Sequence, residues 1–371
     1  MLKIYPVLNK RDLRRFLQLP YILYHDDPMW VPQLRRELRK EFSPRRNPVF
    51  DHTEYALFLL RENGRPIGRI AAHIDKLAVD FWKEATGFFG YYECVDETNA
   101  STLLLETAAC WLREHGMRFM RGPWSFVSQE WGMVLEGFSP PPVIMAPYNP
   151  PYYNDHMEEY GLNKVKDLLC FYLSCQEGYH IPERIMTHTD EVQKRYGIRL
   201  RQINMKHYEE EVATVMVLSN QSLTGNWGYS PVTQEEVKAI SRDLRAIINP
   251  RGVIFAEDRN GKPVGFAITL PDINTLLHGL NGRLFPQGWI KLLYGLPRLH
   301  TYRMFALGVT PDYHNKGVDA LLYRATYESL HSPHAHMEIN YVLEDNYPML
   351  NAIKKLEAKF LRRYRVYQKE L

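Results

Sequence analysis

Residues 304–322 read Met-Phe-Ala-Leu-Gly-Val-Thr-Pro-Asp-Tyr-His-Asn-Lys-Gly-Val-Asp-Ala-Leu-Leu. The run 304–309 is apolar and unbroken, the pattern of a buried strand. Pro311-Asp312 turns the chain. From Ala320 onward apolar residues recur at helical spacing. Strand, glycine-containing loop and helix in that order aim backbone N–H groups and a helix N-terminus at one place. An anion, most often a phosphate, is held at such a place.

The residues Val309, Pro311, Tyr313, Lys316, Gly317 and the run 320–322 resemble the acyl-CoA-binding motif of the GCN5-related N-acetyltransferase (GNAT) superfamily. That motif is Arg/Gln-x-x-Gly-x-Gly/Ala after a strand ending in a V-x-P-like turn. His314 stands where Arg or Gln is usual, and Asp319 where a second small residue is usual. The resemblance implies that the strand splays from its neighbour. Backbone groups of Leu307, Gly308 and Val309 would then hold a thioester and polarise its carbonyl. The pyrophosphate would lie on the loop and helix start, His314, Asn315, Lys316, Gly317, Val318, Asp319 and Ala320, at the positive end of the helix. Asn346-Tyr347-Pro348-Met349 is similar to the family's Asn-x-x-Ala, which adds Asn346 to the cofactor contacts. The family's acid, a tyrosine seven residues after that asparagine, falls on Ile353 and is missing.

Other residues must then move protons. In the strand predicted at 337–343 side chains alternate. Glu338, Asn340 and Val342 are expected on one face, Ile339, Tyr341 and Leu343 on the other. A carboxylate inside a flanked strand must face a cleft or find a partner, so Glu338 is the candidate base. Tyr323 and Tyr347 are the candidate acids.

The chain as a whole suits this reading. Its 371 residues allow two ordinary domains. A net charge of +3 gives no reason to expect DNA as a partner. Aromatic residues make up 13%, which suits clefts for apolar ligands. No signal peptide is visible, and no run approaches the ~18–20 apolar residues that span a bilayer. Cys94, Cys110, Cys170 and Cys175 form no CxxC pair and read as reduced thiols, so a cytoplasmic protein is expected.

A repeat organises the domains. Gly64-Arg-Pro-Ile-Gly68 returns as Gly261-Lys-Pro-Val-Gly265, 197 positions later. Trp30 and Trp227, and Asn149 and Asn346, stand at the same spacing. The period is too long for a solenoid and indicates a duplicated domain. The predicted order in each copy is strand, helices, hairpin, strand–loop–helix, strand and a last helix and strand, which is the order of a GNAT domain. The expected fold is therefore α/β (α+β): two tandem GNAT-like domains, each a mixed, largely antiparallel sheet flanked by helices. They are placed at 1–178 and 179–371. Where the second copy has its glycine loop, the first has Asp96-Glu97-Thr98-Asn99-Ala100-Ser101, with two carboxylates and no glycine. Acyl-CoA is assigned to the second copy.

Four further features stand out. The basic run Arg35–Arg46 reads as a solvated helix face or a tRNA contact. His331, His334 and His336 sit in a Ser/Pro linker without a cysteine beside them, and no metal is expected. Gln129-Glu130-Trp131 and Tyr148–Tyr153 form a polar and aromatic cluster that could face an acceptor. Residues 283–299 carry Phe285, Trp289, Leu292, Leu293 and Leu296 on one helical stripe, suited to packing, a dimer contact, a long acyl chain or a membrane surface.

The expected activity is transfer of an acyl group, acetyl by resemblance, from acetyl-CoA or another acyl-CoA to a small-molecule or peptide amine. A homodimer is compatible with the sequence. The rival readings are a non-catalytic acyl-CoA-binding or scaffold protein and a Fem-like aminoacyl transferase that uses charged tRNA.

Overall fold

A computed structural model describes residues 1–126 and 130–371. In chain order its first elements are β1 (Leu2–Pro6), α1 (Lys10–Gln18), α2 (Pro20–Leu23), α3 (Arg35–Glu41), β2 (Thr53–Glu62), β3 (Arg65–Asp75), α4 (Lys76–Trp82), β4 (Thr86–Cys94), α5 (Thr98–Glu114), β5 (Phe119–Gly122), β6 (Met133–Glu136), α6 (Tyr152–Glu159) and β7 (Asn163–Ser174). Then come α7 (Glu183–Tyr196), β8 (Arg199–Gln202), α8 (Tyr208–Leu223), α9 (Gln234–Leu244), β9 (Val253–Glu257), β10 (Pro263–Pro271), α10 (Asn274–Leu277), α11 (Gly288–Gly295), β11 (Thr301–Val309), α12 (Val318–Leu330), β12 (His336–Leu343), α13 (Tyr347–Lys355) and β13 (Lys359–Glu370).

Local chemistry sets the ends of these elements. Asn9 caps α1 by accepting from the N–H groups of Arg11 and Asp12. The chain from Lys10 to Leu23 forms two helices, because Pro20 cannot donate to the first and instead opens the second. Thr233 and Glu236 form a capping box on α9. Gly197, left-handed, ends α7.

The chain forms two compact units. The first comprises residues 1–168, 277–289 and 362–371, and the second 169–276 and 290–361. The consecutive halves 1–178 and 179–371 divide the chain differently. Residues 362–371 return to the first unit because β13 pairs with β5, from Tyr367↔Gly122 to Glu370↔Phe119, and with β6.

In the first unit the strand order is β1-β2-β3-β4-β5-β13. Helix α5 covers one face with Leu104, Leu105, Ala108, Ala109 and Leu112. The other face packs Leu57, Leu59 and Ala71 against Phe16, Leu38 and Phe42. In the second unit the order is β12-β11-β10-β9-β8. Helices α7 and α12 cover one face through Val192, Val318, Leu321 and Leu322. Helix α8 covers the other through Tyr208 and Leu218, against Phe255 and Phe266.

Each unit thus has a mixed, largely antiparallel sheet with one parallel pair, β4 with β5 and β11 with β12. The two repeated glycine motifs form the hairpins β2–β3 and β9–β10. Beyond the hairpins the spacing grows, because the segment 76–85 after the first hairpin answers to the longer segment 272–300 after the second.

Candidate functional site

In the second unit β11 and β12 run together for four rungs, from Thr301↔His336 to Met304↔Ile339. No rung follows, although β11 stays paired with β10 as far as Gly265↔Val309. The register with β10 shifts between Ile268 and Thr269, which leaves Phe305 as the extra residue of a bulge. A bulge bends the strand that carries it, and here it sits where the strands part. Residues 305–309 therefore line one side of an opening, where Leu307 and Val309 turn their backbone N–H and C=O groups away from β10 while Gly308 bonds to it.

Gly308 is the tightest point of that edge. A Cβ there would lie 2.3 Å from Ser222 Oγ of α8 and 2.6 Å from the Phe266 ring. The Ser222 hydroxyl donates to the Leu218 carbonyl at 2.7 Å, so it is fixed in that position.

The loop after β11 leads to the start of α12. His314 Nε2 donates to the Val309 carbonyl at 2.9 Å, so the ring turns back onto the strand. Asn315 and Gly317 are both left-handed, with φ of 58° and 78°, the kind of turn that gathers N–H groups into an anion-binding concavity. Gly317 is the N-cap of α12, and no side chain caps the helix. The first-turn N–H groups of Val318, Asp319 and Ala320 thus keep their direction out of the helix end. The Lys316 ammonium lies 4.8 Å from the Tyr313 ring centre and 5.4 Å from that of Tyr196. Arg324 ties α12 to α7 through the Met186 carbonyl at 3.1 Å, Thr189 Oγ1 at 2.9 Å and Asp190.

The strand-alternation expectation for β12 needs one correction. Glu338 and Ile339 do face opposite sides, but Val342 packs with Ile339 in the core below α12 rather than with Glu338. The alternation slips where β12 leaves β11. Tyr341 accordingly lies beside Arg303, whose guanidinium is 5.1 Å from its ring and 5.5 Å from that of Phe305.

Glu338 is buried and stands in register with Arg303 on the last rungs before the parting. Its Oε2 accepts from Cys170 Sγ at 3.5 Å. Tyr323 lies on the opposite face, packed with Met304, Ile339 and Ile353. There it lines an apolar cavity of about 30 Å³ together with Tyr302 and Tyr327, room for a single water. Burial, with the nearby Asp319 charge, raises the Tyr323 pKa and keeps the phenol protonated. Tyr347 is 69% exposed at the first turn of α13. Asn346 caps that helix, accepting from the Met349 N–H at 3.2 Å.

The structure therefore brings the strand residues and the loop residues to one place. It separates Glu338 from Tyr323, and it leaves Tyr347 in solvent. Arg303, Ser222 and the bulge at Phe305 are what sequence reasoning missed. A lone arginine opening an apolar strand was the available signal for the first.

Elsewhere the candidates differ. In the first unit β4 is not opened in this way: past Phe88↔Arg121 the Trp124 N–H donates to the Phe89 carbonyl at 2.8 Å, and a Cβ on Gly90 would lie 2.0 Å from the Trp124 carbonyl oxygen. Helix α5 follows a three-residue connection with Asp96 and Glu97 exposed and no glycine. The buried Glu93 carboxyl there accepts from Tyr24, from Tyr153 at 2.9 Å and from Arg69 at 3.3 Å, so its partners fill the space. Gln129 lies outside the described residues. In the basic run, Arg35 donates to Asn281 at 3.1 and 3.2 Å and stacks on Tyr21. Among the described residues no group of His, Cys, Asp or Glu is placed to hold a metal ion, and no helix is long and apolar enough to cross a membrane.

A bulged strand parting from its parallel neighbour, followed by a glycine loop and an uncapped helix, in a chain whose two units share one order of hairpin, parallel pair and helix, has the fold of the tandem GNAT class. A tandem GNAT protein from the clavulanic acid biosynthesis pathway has this fold, with a TM-score of 0.58 at 14% identity over 100% of this chain and 98% of its own. Protein YghO of Escherichia coli (strain K12) is 33% identical over 98% of this chain and 94% of its own. The bacterial ceramide synthase of Caulobacter vibrioides (strain NA1000 / CB15N) is 32% identical over 100% of this chain and 98% of its own. No family model matches the chain. The chain belongs to the family of GNAT-fold proteins that includes protein YghO and the bacterial ceramide synthase.

Proposed function

We propose that the chain is an N-acyltransferase that moves an acyl group from acyl-CoA to the amine of a long-chain amphiphile, forming an amide. The observation that carries the reading is the parting of β11 from β12 beside the uncapped start of α12. A relative over the whole chain, the Caulobacter protein, is named for making ceramide, an amide of a long-chain amine. That name favours an acyl group longer than the acetyl implied by the GNAT resemblance.

The residues divide the work as follows. The loop and first turn, Asn315 to Ala320, receive the pyrophosphate on N–H groups at the positive end of α12, with Lys316 adding charge. Leu307, Gly308 and Val309 line the thioester, and the N–H groups of Leu307 and Val309, which point away from β10, stabilise the oxygen as it gains negative charge. The amine nitrogen attacks the carbonyl carbon, and the C–S bond breaks. Glu338 takes the proton released by the nitrogen. The proton that ends on the thiolate comes from solvent or from a tyrosine hydroxyl, Tyr347 being the exposed one.

The test is calorimetric titration of the full chain with acetyl-CoA, a long-chain acyl-CoA and free CoA, beside a Gly317→Glu variant. Saturable binding that is lost in the variant is expected, with the long-chain ligand bound tightest. No binding of any of the three by the wild-type chain would end the acyl-CoA reading.

A further inference from the structure

We infer that helix α11 and the turn before it form a surface anchor that seats the protein on a bilayer rich in anionic lipid. Phe285, Trp289, Ile290, Leu293 and Tyr294 are all exposed, Phe285, Leu293 and Tyr294 by 70%, 60% and 64%. They are five of the fourteen exposed large apolar side chains among the described residues. Of the other nine, Met1, Tyr5 and Leu8 lie at the start of the chain and six are scattered singly, as is normal for any surface. A cluster is not normal and marks an interaction site.

The helix is built the wrong way round for a packing helix. Its inner side carries Gly288 and Gly295. A Cβ on Gly288 would lie 3.0 Å from Leu280 Cδ1, and one on Gly295 would lie 2.5 Å from Leu276 Cδ2. Small residues thus face the protein, while the bulky ones face out. At 100° per residue Trp289, Ile290, Leu293 and Tyr294 span an arc of about 140°. The stripe expected from the sequence is corrected accordingly. Leu292 and Leu296 are half-buried, and Ile290 and Tyr294 take their place outside.

Charge identifies the occupant. Residues 273–311 contain no Asp or Glu, in a chain that has 43 of them. The same stretch has Arg283, Lys291, Arg298 and the buried Arg303. In sequence the three exposed cations stand before, within and after the apolar stretch. An apolar face with Trp and Tyr, flanked by cations and cleared of anions, fits the interface of a negatively charged membrane. A second copy across a two-fold axis would bring the same cations together and gain nothing from the missing acids. The inference goes beyond the acyl-transfer reading. It is tested with neither donor nor acceptor present, so either can fail without the other.

The full chain is sedimented with vesicles of phosphatidylcholine and with vesicles that also contain phosphatidylglycerol. Wild type is expected to pellet with the mixed vesicles and far less with phosphatidylcholine alone. A Leu293→Ser, Tyr294→Ser pair should weaken pelleting about tenfold or more. Lys291→Glu should weaken it several-fold on the mixed vesicles only, and less at high salt. These side chains are exposed, and unchanged circular dichroism would confirm that the variants fold. Three results would overturn the inference: wild type pelleting with neither vesicle, the serine pair binding as well as wild type, or a lipid-free dimer that the serine pair dissolves.

Discussion

At a φ of 78° Gly317 holds a conformation that strains any L side chain, and a Cβ there would lie 2.9 Å from His188 Nε2 and from Val192 Cγ2. Gly317→Ala should therefore cost about 1–2 kcal/mol of stability by denaturant titration and weaken donor binding by calorimetry. Glu338→Gln keeps the shape of its site and removes the base. It should lower kcat by about 10²-fold or more with KM little changed; an unchanged kcat would remove Glu338 from the mechanism. The glycine was legible in the sequence because few residue types can open such a loop. The role of Ile353 was legible only as an absence. The structure supplies its reason, since the position packs against Met304, Tyr323 and Ile339 in a closed apolar core. Arg303 stands out in the sequence as a lone cation opening an apolar strand, but nothing local tells which neighbour it will meet.

Strand β11 and helix α12 were readable as elements from periodicity and the Pro311 turn. The bulge at Phe305 was not, since every residue around it is apolar and an extra one leaves no mark on the pattern. The slip in β12 was hidden for a related reason: the sequence does not show where β12 stops pairing with β11. Helix α3 offers a test of packing at this scale. The Glu41 carboxyl at its end accepts from Tyr91. Burial, helped by the Glu130 charge, pushes its pKa up from 4.5 to about 7. The unfolded chain gives up that proton near pH 4.5, whereas the folded chain keeps it to about 7. Stability should therefore fall as pH rises through this window, by an amount on the order of 1–3 kcal/mol. Thermal melts between pH 5 and 8 should show the decline in wild type and a flatter profile in Glu41→Gln. Equal slopes would contradict the assignment.

Across the molecule, the repeated hairpin showed two copies of one domain, because a tight turn with its flanking strands keeps its residues when loops elsewhere change length. The spacing could not show that residues 362–371 complete the first unit. That pairing is long-range and carries no local signature. Arg362, Tyr364, Val366 and Tyr367 are buried there, and Arg362 donates to the Gly137 carbonyl at 2.6 Å. A chain ending at residue 361 should lose protection of the first unit in limited proteolysis, since β5 and β6 would lose the strand they pair with. Persistence of an intact 1–168 fragment would contradict the assignment.

The most direct measurement is mass spectrometry of the products formed from a series of acyl-CoA donors, acetyl to long-chain, and a long-chain amine. The expected result is an N-acyl amide with one free CoA released per amide, favouring the longer donors and absent with Gly317→Glu. No amide from any donor, or amide formed equally well by the Gly317→Glu chain, would contradict the placement of acyl transfer at the parting of β11 and β12.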